Sequence, residues 1–446
     1  MSSPSIPPGP RLPRPVQTLG WIKRPGPFME RCRARYGDTF TIRVANEGTW
    51  VFLSDPEAVR QVFTGDPRLL HAGEANAVLR PILGPNSVLL LDDAAHLRQR
   101  KLLLPPFHGE RMKRYGELMT EIAEQEVSRW PAGEPLELLP RMQALTMEII
   151  LRAVFGVRDP ERLERLRAVL SRMMDLTTRP SRFVAMALLG PRRVERLGLL
   201  QPQIGPVDDL LIDEIRRRRA DPGVAGRDDI LSLLVQAEHE DGSPMGDREL
   251  RDELITLLVA GHETTAGSLS WALERLLRHP AAWARLREEA ATGESAYLDA
   301  TIKETLRLRP VLAIVARKLV EPMEIGGHHL PAGVSVAPCI YLMHRRADIY
   351  PDPYAFRPER FLEQPAGTYT WIPFGGGVRR CLGASFALFE MATVLRVIAR
   401  SASLEPAEPA DERVRRRAIM LTPADGAKVV RSPGPARERE RERVAA

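Results

Sequence analysis

The stretch from Asp247 to His279 constrains the fold more than any other part of the chain. Leu254, Leu258, Thr265, Leu269, Ala272 and Leu276 recur at helical spacing, and Pro280 marks the end. Roughly 30 residues rising about 1.5 Å each would span about 45 Å, the width of a whole domain. Such a helix is expected to run through the core with other elements packed around it. In its middle sits "AGHETT", Ala260 to Thr265, a polar interruption in an apolar stretch.

The rest of the chain supplies those other elements. Segments 108–129, 137–155, 160–175 and 206–220 carry apolar residues at three-and-four spacing, with Pro or Gly clusters between them. Near the start, two short strands are expected around an Asn46-Glu47-Gly48 turn, followed by a helix opening at Ser54 or Asp55. A second strand-rich patch, from Arg317 to Cys339, turns at Gly326-Gly327, and no internal repeat is found. The reading is a mainly α fold with small β-sheets at one side. A single domain is expected over 16–430, after a Pro-rich extended arm (1–15) and before a charged, frayed and disordered tail (431–446).

Composition excludes several classes. Hydrophobic residues at 44% and charged residues at 27% rule out a wholly disordered or collagen-like chain. No apolar run reaches membrane-spanning length and the opening lacks a secretory h-region, so a cytoplasmic protein with no membrane anchor is expected. Three widely spaced cysteines, Cys32, Cys339 and Cys381, do not form a disulfide framework. A net charge of +6 is modest for this length, and no basic stripe with interleaved aromatics points to nucleic acid.

The strongest chemical signal lies at residues 373–391, "PFGGGVRRCLGASFALFEM", where a Gly-rich loop delivers Cys381 to the start of an apolar helix. A helix N-terminus favours a thiolate, and Arg379 and Arg380 would add to that effect. Taken alone, Cys381 is equally a buried cysteine after a tight turn. A phosphate-cradling G-x-G-x-x-G fails, because Arg380 stands where the third glycine belongs. The neighbours complete a larger pattern: Phe374, Gly377, Arg379, Cys381 and Gly383 spell F-x-x-G-x-R-x-C-x-G, with Gly375 at its optional place. This resembles the haem-binding loop of the cytochrome P-450 family. Glycines would let the backbone pass close under a flat macrocycle, and Phe374 would shield the sulfur. A thiolate so placed pushes electron density through iron and favours O–O cleavage. The resemblance implies that Arg379 reaches a haem propionate.

Within "AGHETT" the chain is similar to that family's oxygen-activating segment. Ala260 and Gly261 would lie against the haem, and Gly261, costing about 1 kcal/mol in a helix interior, would let the helix bulge to admit dioxygen. Thr264 would hydrogen-bond the oxygen and Glu263 relay protons. The plainer alternatives are that Thr264 bonds the carbonyl one turn back and that Glu263 pairs with a nearby Arg. A zinc-protease H-E-x-x-H fails at Ala266, which stands in place of the second His.

Three further groups follow. Glu304 and Arg307, three apart in "KETLRLRP", read by themselves as a surface pair. The resemblance implies that Arg360 of "FRPERF" joins them in a buried structural cluster. His96 and Arg100 lie one helical turn apart and project the same way, as propionate ligands would. Arg317 would be another by resemblance, although Arg100 and Arg317 are also readable as ordinary surface charges.

Taken over residues 15–430, the resemblance implies a monomeric haem-thiolate monooxygenase holding heme b (iron protoporphyrin IX) between the long helix and the cysteine-loop helix. It would insert one atom of O2 into a hydrophobic small molecule such as a terpenoid, fatty acid or polyketide, with secondary metabolism as its setting. Val259, Leu312 and Ile314 are expected in the substrate pocket, with the loop from His71 to Leu91 and the region from about 170 to 200. No flavin, dinucleotide or iron–sulfur motif is appended, so electrons would come from a ferredoxin and ferredoxin reductase. Arg98, Lys101, Arg379 and Arg380 would offer the donor a basic face. A peroxide-driven peroxygenase and a non-catalytic haem-thiolate sensor are the alternatives.

Overall fold

The computed structural model describes residues 6–107, 111–157, 159–178 and 189–432, with no side-chain description for 175–178. The Pro-rich segment is fastened to the body of the protein. Thr41 donates from its backbone N to Pro8 O at 2.9 Å and from its hydroxyl to Pro7 O at 2.8 Å. The first helix, α1 (Arg14–Lys23), already begins inside the expected arm, and its Gln17 carboxamide holds the carbonyls of Pro10 and Leu12.

After α2 (Pro25–Tyr36), strands β1 (Thr39–Val44) and β2 (Gly48–Leu53) pair antiparallel, from Thr39 opposite Leu53 to Val44 opposite Gly48. Asn46 takes φ 63 in the turn between them. Helix α3 (Pro56–Thr64) opens on Asp55, whose carboxylate accepts Ala58 N at 2.8 Å. Strands β3 (Leu70–His71), β5 (Arg317–Leu319) and β8 (Ser335–Pro338) extend the first pair into a five-stranded sheet, ordered β1-β2-β8-β5-β3. Between β5 and β8, β6 (Met323–Ile325) and β7 (His328–Leu330) form the hairpin expected at Gly326-Gly327, both of which have positive φ. Near the C-terminus, β10 (Val414–Arg417) pairs with β11 (Met420–Pro423), and β12 (Lys428–Arg431) lies between β4 (Pro135–Glu137) and β9 (Leu404–Pro406).

The helical body comprises α4 (Asp93–Leu103), α5 (Arg111–Ser128), α6 (Leu138–Phe155), α7 (Pro160–Thr178), α8 (Gln201–Arg219), α9 (Asp247–Leu277), α10 (Pro280–Thr292), α11 (Ala296–Leu308) and α12 (Ala384–Ser401). Helix α8 starts ahead of the expected 206 because Pro202 sits in its first turn, where a missing N–H breaks no helical bond. Helix α9 is one continuous element of 31 residues. From Leu250 to Leu277 it is buried almost all round; its less covered positions are Leu257, Val259, Ala260, Gly261 and Thr264. Leu257, Ala260, Gly261 and Thr264 are spaced three, one and three apart, which puts them on a single face.

Glu304 and Arg307 are both fully buried on α11. Glu304 Oε2 accepts Arg307 Nε at 2.7 Å, and Oε1 accepts Arg307 Nη2 at 2.8 Å, Arg360 Nε at 3.1 Å and Arg357 N at 2.9 Å. Arg307 also reaches the carbonyls of His344, Pro353 and Ala355. The surface reading of this pair is therefore corrected. Burial of a charge is tolerated when every donor and acceptor has a partner, and segment 344–360 supplies those partners.

Candidate active site

The cysteine loop is held from behind. His344 Nε2 accepts Ile372 N at 2.9 Å, and Trp371 Nε1 donates to Lys303 O on α11 at 3.0 Å. Gly375 and Gly377 take φ 67 and 64, and a Cβ on Gly377 would lie 2.0 Å from the carbonyl oxygen of Phe63 on α3. Glycine at 377 thus answers to the neighbouring helix and the backbone angle. A side-chain carbon at Gly383 would meet nothing within 4 Å.

Cys381 donates its backbone N–H to Phe374 O at 2.9 Å. It lies two residues before Gly383, the N-cap of α12, so it is outside the first helical turn where the sequence places it. The residue is accessible to a water-sized molecule, yet the surrounding protein desolvates the thiol enough to push its pKa up. The Gly383 N–H, Arg100 and Arg380 oppose that shift. Accessibility together with desolvation describes a cysteine that a small molecule can reach but that protein surrounds. Arg379 does not support the sulfur as expected: it turns inward, donating to the carbonyls of Val88 (3.3 Å) and Leu91 (2.6 Å) and to Asp92 Oδ1 (2.5 Å).

A cationic cluster converges beside this loop. His96 is buried, and desolvation together with Arg379, Arg100 and Arg317 brings its pKa down to about 3. Burial and the charge of Arg379 lower Arg317 to about 10. Arg379 is also lowered to about 10, mainly by burial, with Asp92 opposing and Arg100 adding to the shift. Asp92 is their near carboxylate, but it is shared with the backbone N–H groups of Gly73 and Glu74, and Arg379 Nε remains buried without a partner. A cluster of mutually repelling buried guanidiniums with an orphaned donor fits a ligand bearing two carboxylates, and an accessible cysteine surrounded by protein fits a soft metal. The residues present therefore suit haem.

The uncovered face of α9 carries the "AGHETT" residues, but not as a simple relay. Thr264 Oγ1 donates to Ala260 O at 2.5 Å, the alternative bond one turn back. Glu263 points elsewhere and is buried. Its two oxygens accept Gln143 Nε2 of α6 at 3.0 Å each, and Arg417 of β10 lies 3.8 Å away. His262 Nδ1 meets the Thr146 hydroxyl at 2.9 Å. A Cβ on Gly261 would come 2.9 Å from Ile150 Cδ1. The helix stays continuous there, so close approach of α6 accounts for this glycine where a bulge was expected.

Val259, Leu312 and Ile314 are half-buried. Val315 Cγ1 would lie 3.4 Å from a Cβ on Gly375, which brings segment 312–315 against the cysteine loop. Residues 179–188 of the expected pocket region and 433–446 of the expected tail lie outside the described residues. On the expected donor face Arg98, Lys101 and Arg380 are exposed. Lys101 is already paired with Glu240 at 2.9 Å, and the inward turn of Arg379 removes it from that face. Among the described residues no helix is long and apolar enough to cross a membrane.

Sequence reasoning missed Asp92, Asp252, Glu253, Gln143 and His344. Only Asp92 carried a signal, as an acidic residue just before a helix, and that signal suggested a cap. Its carboxylate instead serves Gly73, Glu74 and Arg379.

Comparison with known proteins agrees with this geometry. The family description "Cytochrome P450" matches residues 7–430. Cytochrome P450 135B1 of Mycobacterium tuberculosis is 46% identical over 436 residues, covering 96% of this chain and 92% of that protein. Cytochrome P450 137 of the same organism is 39% identical over 409 residues, covering 90% and 84%. Among solved structures, retinoic acid-bound cyanobacterial CYP120A1 superposes with a TM-score of 0.83 over 96% of this chain and 99% of that one. At 24% identity that likeness concerns the fold.

Proposed function

The chain belongs to the cytochrome P450 family and is a haem-binding monooxygenase, and on that premise we propose that Cys381 Sγ would hold the haem iron. The observation that carries this assignment is the accessible cysteine beside the cationic cluster of His96, Arg100, Arg317 and Arg379. In this reading Arg100, Arg317 and Arg379 neutralise the two propionates, with His96 as a neutral hydrogen-bonding neighbour. Bound haem supplies the electron and dioxygen chemistry, to which the thiolate contributes electron density.

The remaining chemistry belongs to the chain. Phe374, Gly375 and Gly383 belong to the loop that would hold the macrocycle, and Ala260 and Gly261 would line the same site from α9. Thr264 is the hydroxyl on the open face of α9; it donates to Ala260 O and would turn to the substrate side by giving up that bond. Glu263, one residue away and held by Gln143 and Arg417, would relay protons toward it. Val259, Leu312 and Ile314 supply an aliphatic wall, which favours a hydrophobic small molecule such as a terpenoid, fatty acid or polyketide. Members of the family use O2 and a redox partner. A ferredoxin with its reductase suits the basic residues Arg98 and Arg380 on the cysteine-loop side, with Lys101 joining once it leaves Glu240.

The test is the carbon monoxide difference spectrum of the dithionite-reduced protein, with Cys381→Ala beside it. A red-shifted Soret band that disappears in the variant is expected. An unchanged band in Cys381→Ala refutes the axial assignment.

A further inference from the structure

Helix α9 grips the loop ahead of α4 at four places. Arg251 Nη1 donates to Leu83 O at 3.2 Å. Asp252 accepts the backbone N and the side-chain amide of Asn86, both at 2.9 Å. Glu253 Oε1 accepts Val88 N at 2.7 Å, and the Thr256 hydroxyl meets Ser87 Oγ at 2.7 Å. The gripped segment then leads straight to the cationic cluster, because Val88 O, Leu91 O and Asp92 are the acceptors of Arg379.

Glu253 differs from the other three. It is fully buried, and its Oε2 is left without a hydrogen-bond partner. The Gln99 carboxamide of α4, itself buried with an unpartnered Nε2, acts on this carboxyl from the other side. Gln99 lies next to Arg100 and one turn after His96. One side chain on α9 is therefore hydrogen-bonded to the loop that holds Arg379 and feels the Gln99 amide of the helix that carries His96 and Arg100.

We propose that Glu253 is a positioning residue that locks the 83–92 loop and helix α4 together and so sets the spacing of the basic groups that grip the haem propionates. Burial pushes its carboxyl up to about 8, against the opposing Val88 N–H and Gln99 amide. Burial thus favours the neutral acid, and a buried neutral link avoids adding an anion that would compete with the propionates for Arg379. The proposal rests on the assignment of the basic cluster to haem.

The test measures haem loss from the intact holoenzyme to a haem-scavenging apomyoglobin, with urea midpoint and reduction potential on the same samples. Glu253→Leu is expected to accelerate haem loss at least tenfold and to shift the potential. Glu253→Gln, which keeps an acceptor for Val88 N and a polar group beside Gln99, should stay within about twofold of wild type. Gln99→Leu breaks the α4 side of the same link, so it reads the same quantity should Glu253→Leu not fold, and it too should accelerate haem loss severalfold. Haem loss unchanged in a folded Glu253→Leu, or unchanged in Gln99→Leu, overturns the proposal. So does equal acceleration in Glu253→Gln. Arg317→Met serves as the separate check on the cluster: if it leaves haem loss unaltered, the propionate reading fails, whereas a fast Arg317→Met with slow Glu253→Leu and Gln99→Leu discards the role of Glu253 alone.

Discussion

Removing the Glu304 carboxylate is predicted to be among the most damaging single changes away from the candidate site. Glu304→Ala deletes four hydrogen bonds, three of them from guanidinium groups, and leaves Arg307 at 0% and Arg360 at 8% exposure without a counter-charge. Charged hydrogen bonds are worth about 1.5–3 kcal/mol each, but simple addition would overcount. Arg307 keeps three carbonyl acceptors, and Arg360 keeps the carbonyl of Pro351. The expected loss is therefore about 3–5 kcal/mol, the range for a buried pair stripped of one partner. A typical domain is stable by only about 5–15 kcal/mol. The internal control is Glu57→Ala, which breaks the exposed Glu57–Arg60 pair at the same i,i+3 spacing and should leave the urea midpoint nearly unchanged, because water and salt screen an exposed pair. Urea midpoints followed by far-UV circular dichroism at constant slope give both values, and the fraction of carbon monoxide complex with the red-shifted band reports the loop that His344 holds. A loss below about 1 kcal/mol for Glu304→Ala, or equal losses for the two variants, would refute the reasoning.

Two further outcomes follow from local geometry. Gly377→Ala forces a left-handed backbone and a contact with Phe63 O, so a loss of about 2–4 kcal/mol is expected in urea denaturation. Gly383→Ala, at φ −84 with open space around it, should cost under about 1 kcal/mol in the haem-free chain; comparable costs for the two would show the packing argument to be wrong. Burial, with Arg417 adding to it, brings His262 down to about 4 from its ordinary 6.5. Between those values the unfolded chain binds a proton that the folded chain does not. The stability contribution is thus complete above pH 6.5 and is lost as pH falls toward 4. His262→Asn should flatten the dependence of unfolding free energy on pH between 6 and 5 by about 1 kcal/mol per unit, and an unaltered slope counts against a neutral buried His262.

Periodicity and local chemistry were enough to place α9, the β1–β2 hairpin, the Gly326-Gly327 turn and the cysteine loop, because each depends on neighbours in the chain. Apolar spacing marks a buried helix face, a Gly pair marks a positive-φ turn, and ten consecutive residues carry the F-x-x-G-x-R-x-C-x-G pattern with no help from the rest of the protein. The contrast with Glu304 and Glu57 shows where this stops. Both are acids three residues before an arginine, and nothing local says that one pair is sealed under segment 344–360 while the other lies in water. The same limit explains Arg379, which reads as a partner of the adjacent sulfur but bonds residues 88–92 of a distant loop. It also explains Gly377 and Gly261, whose missing side chains answer to Phe63 and Ile150. Glu253 had no sequence signal, since a carboxylate on a long helix is ordinarily solvated. The sequence by itself determined the family and the cofactor class. Only the tertiary structure decided which charges are buried, which acceptors satisfy them and what each glycine makes room for, because those energies depend on desolvation and on contacts between residues far apart in the chain.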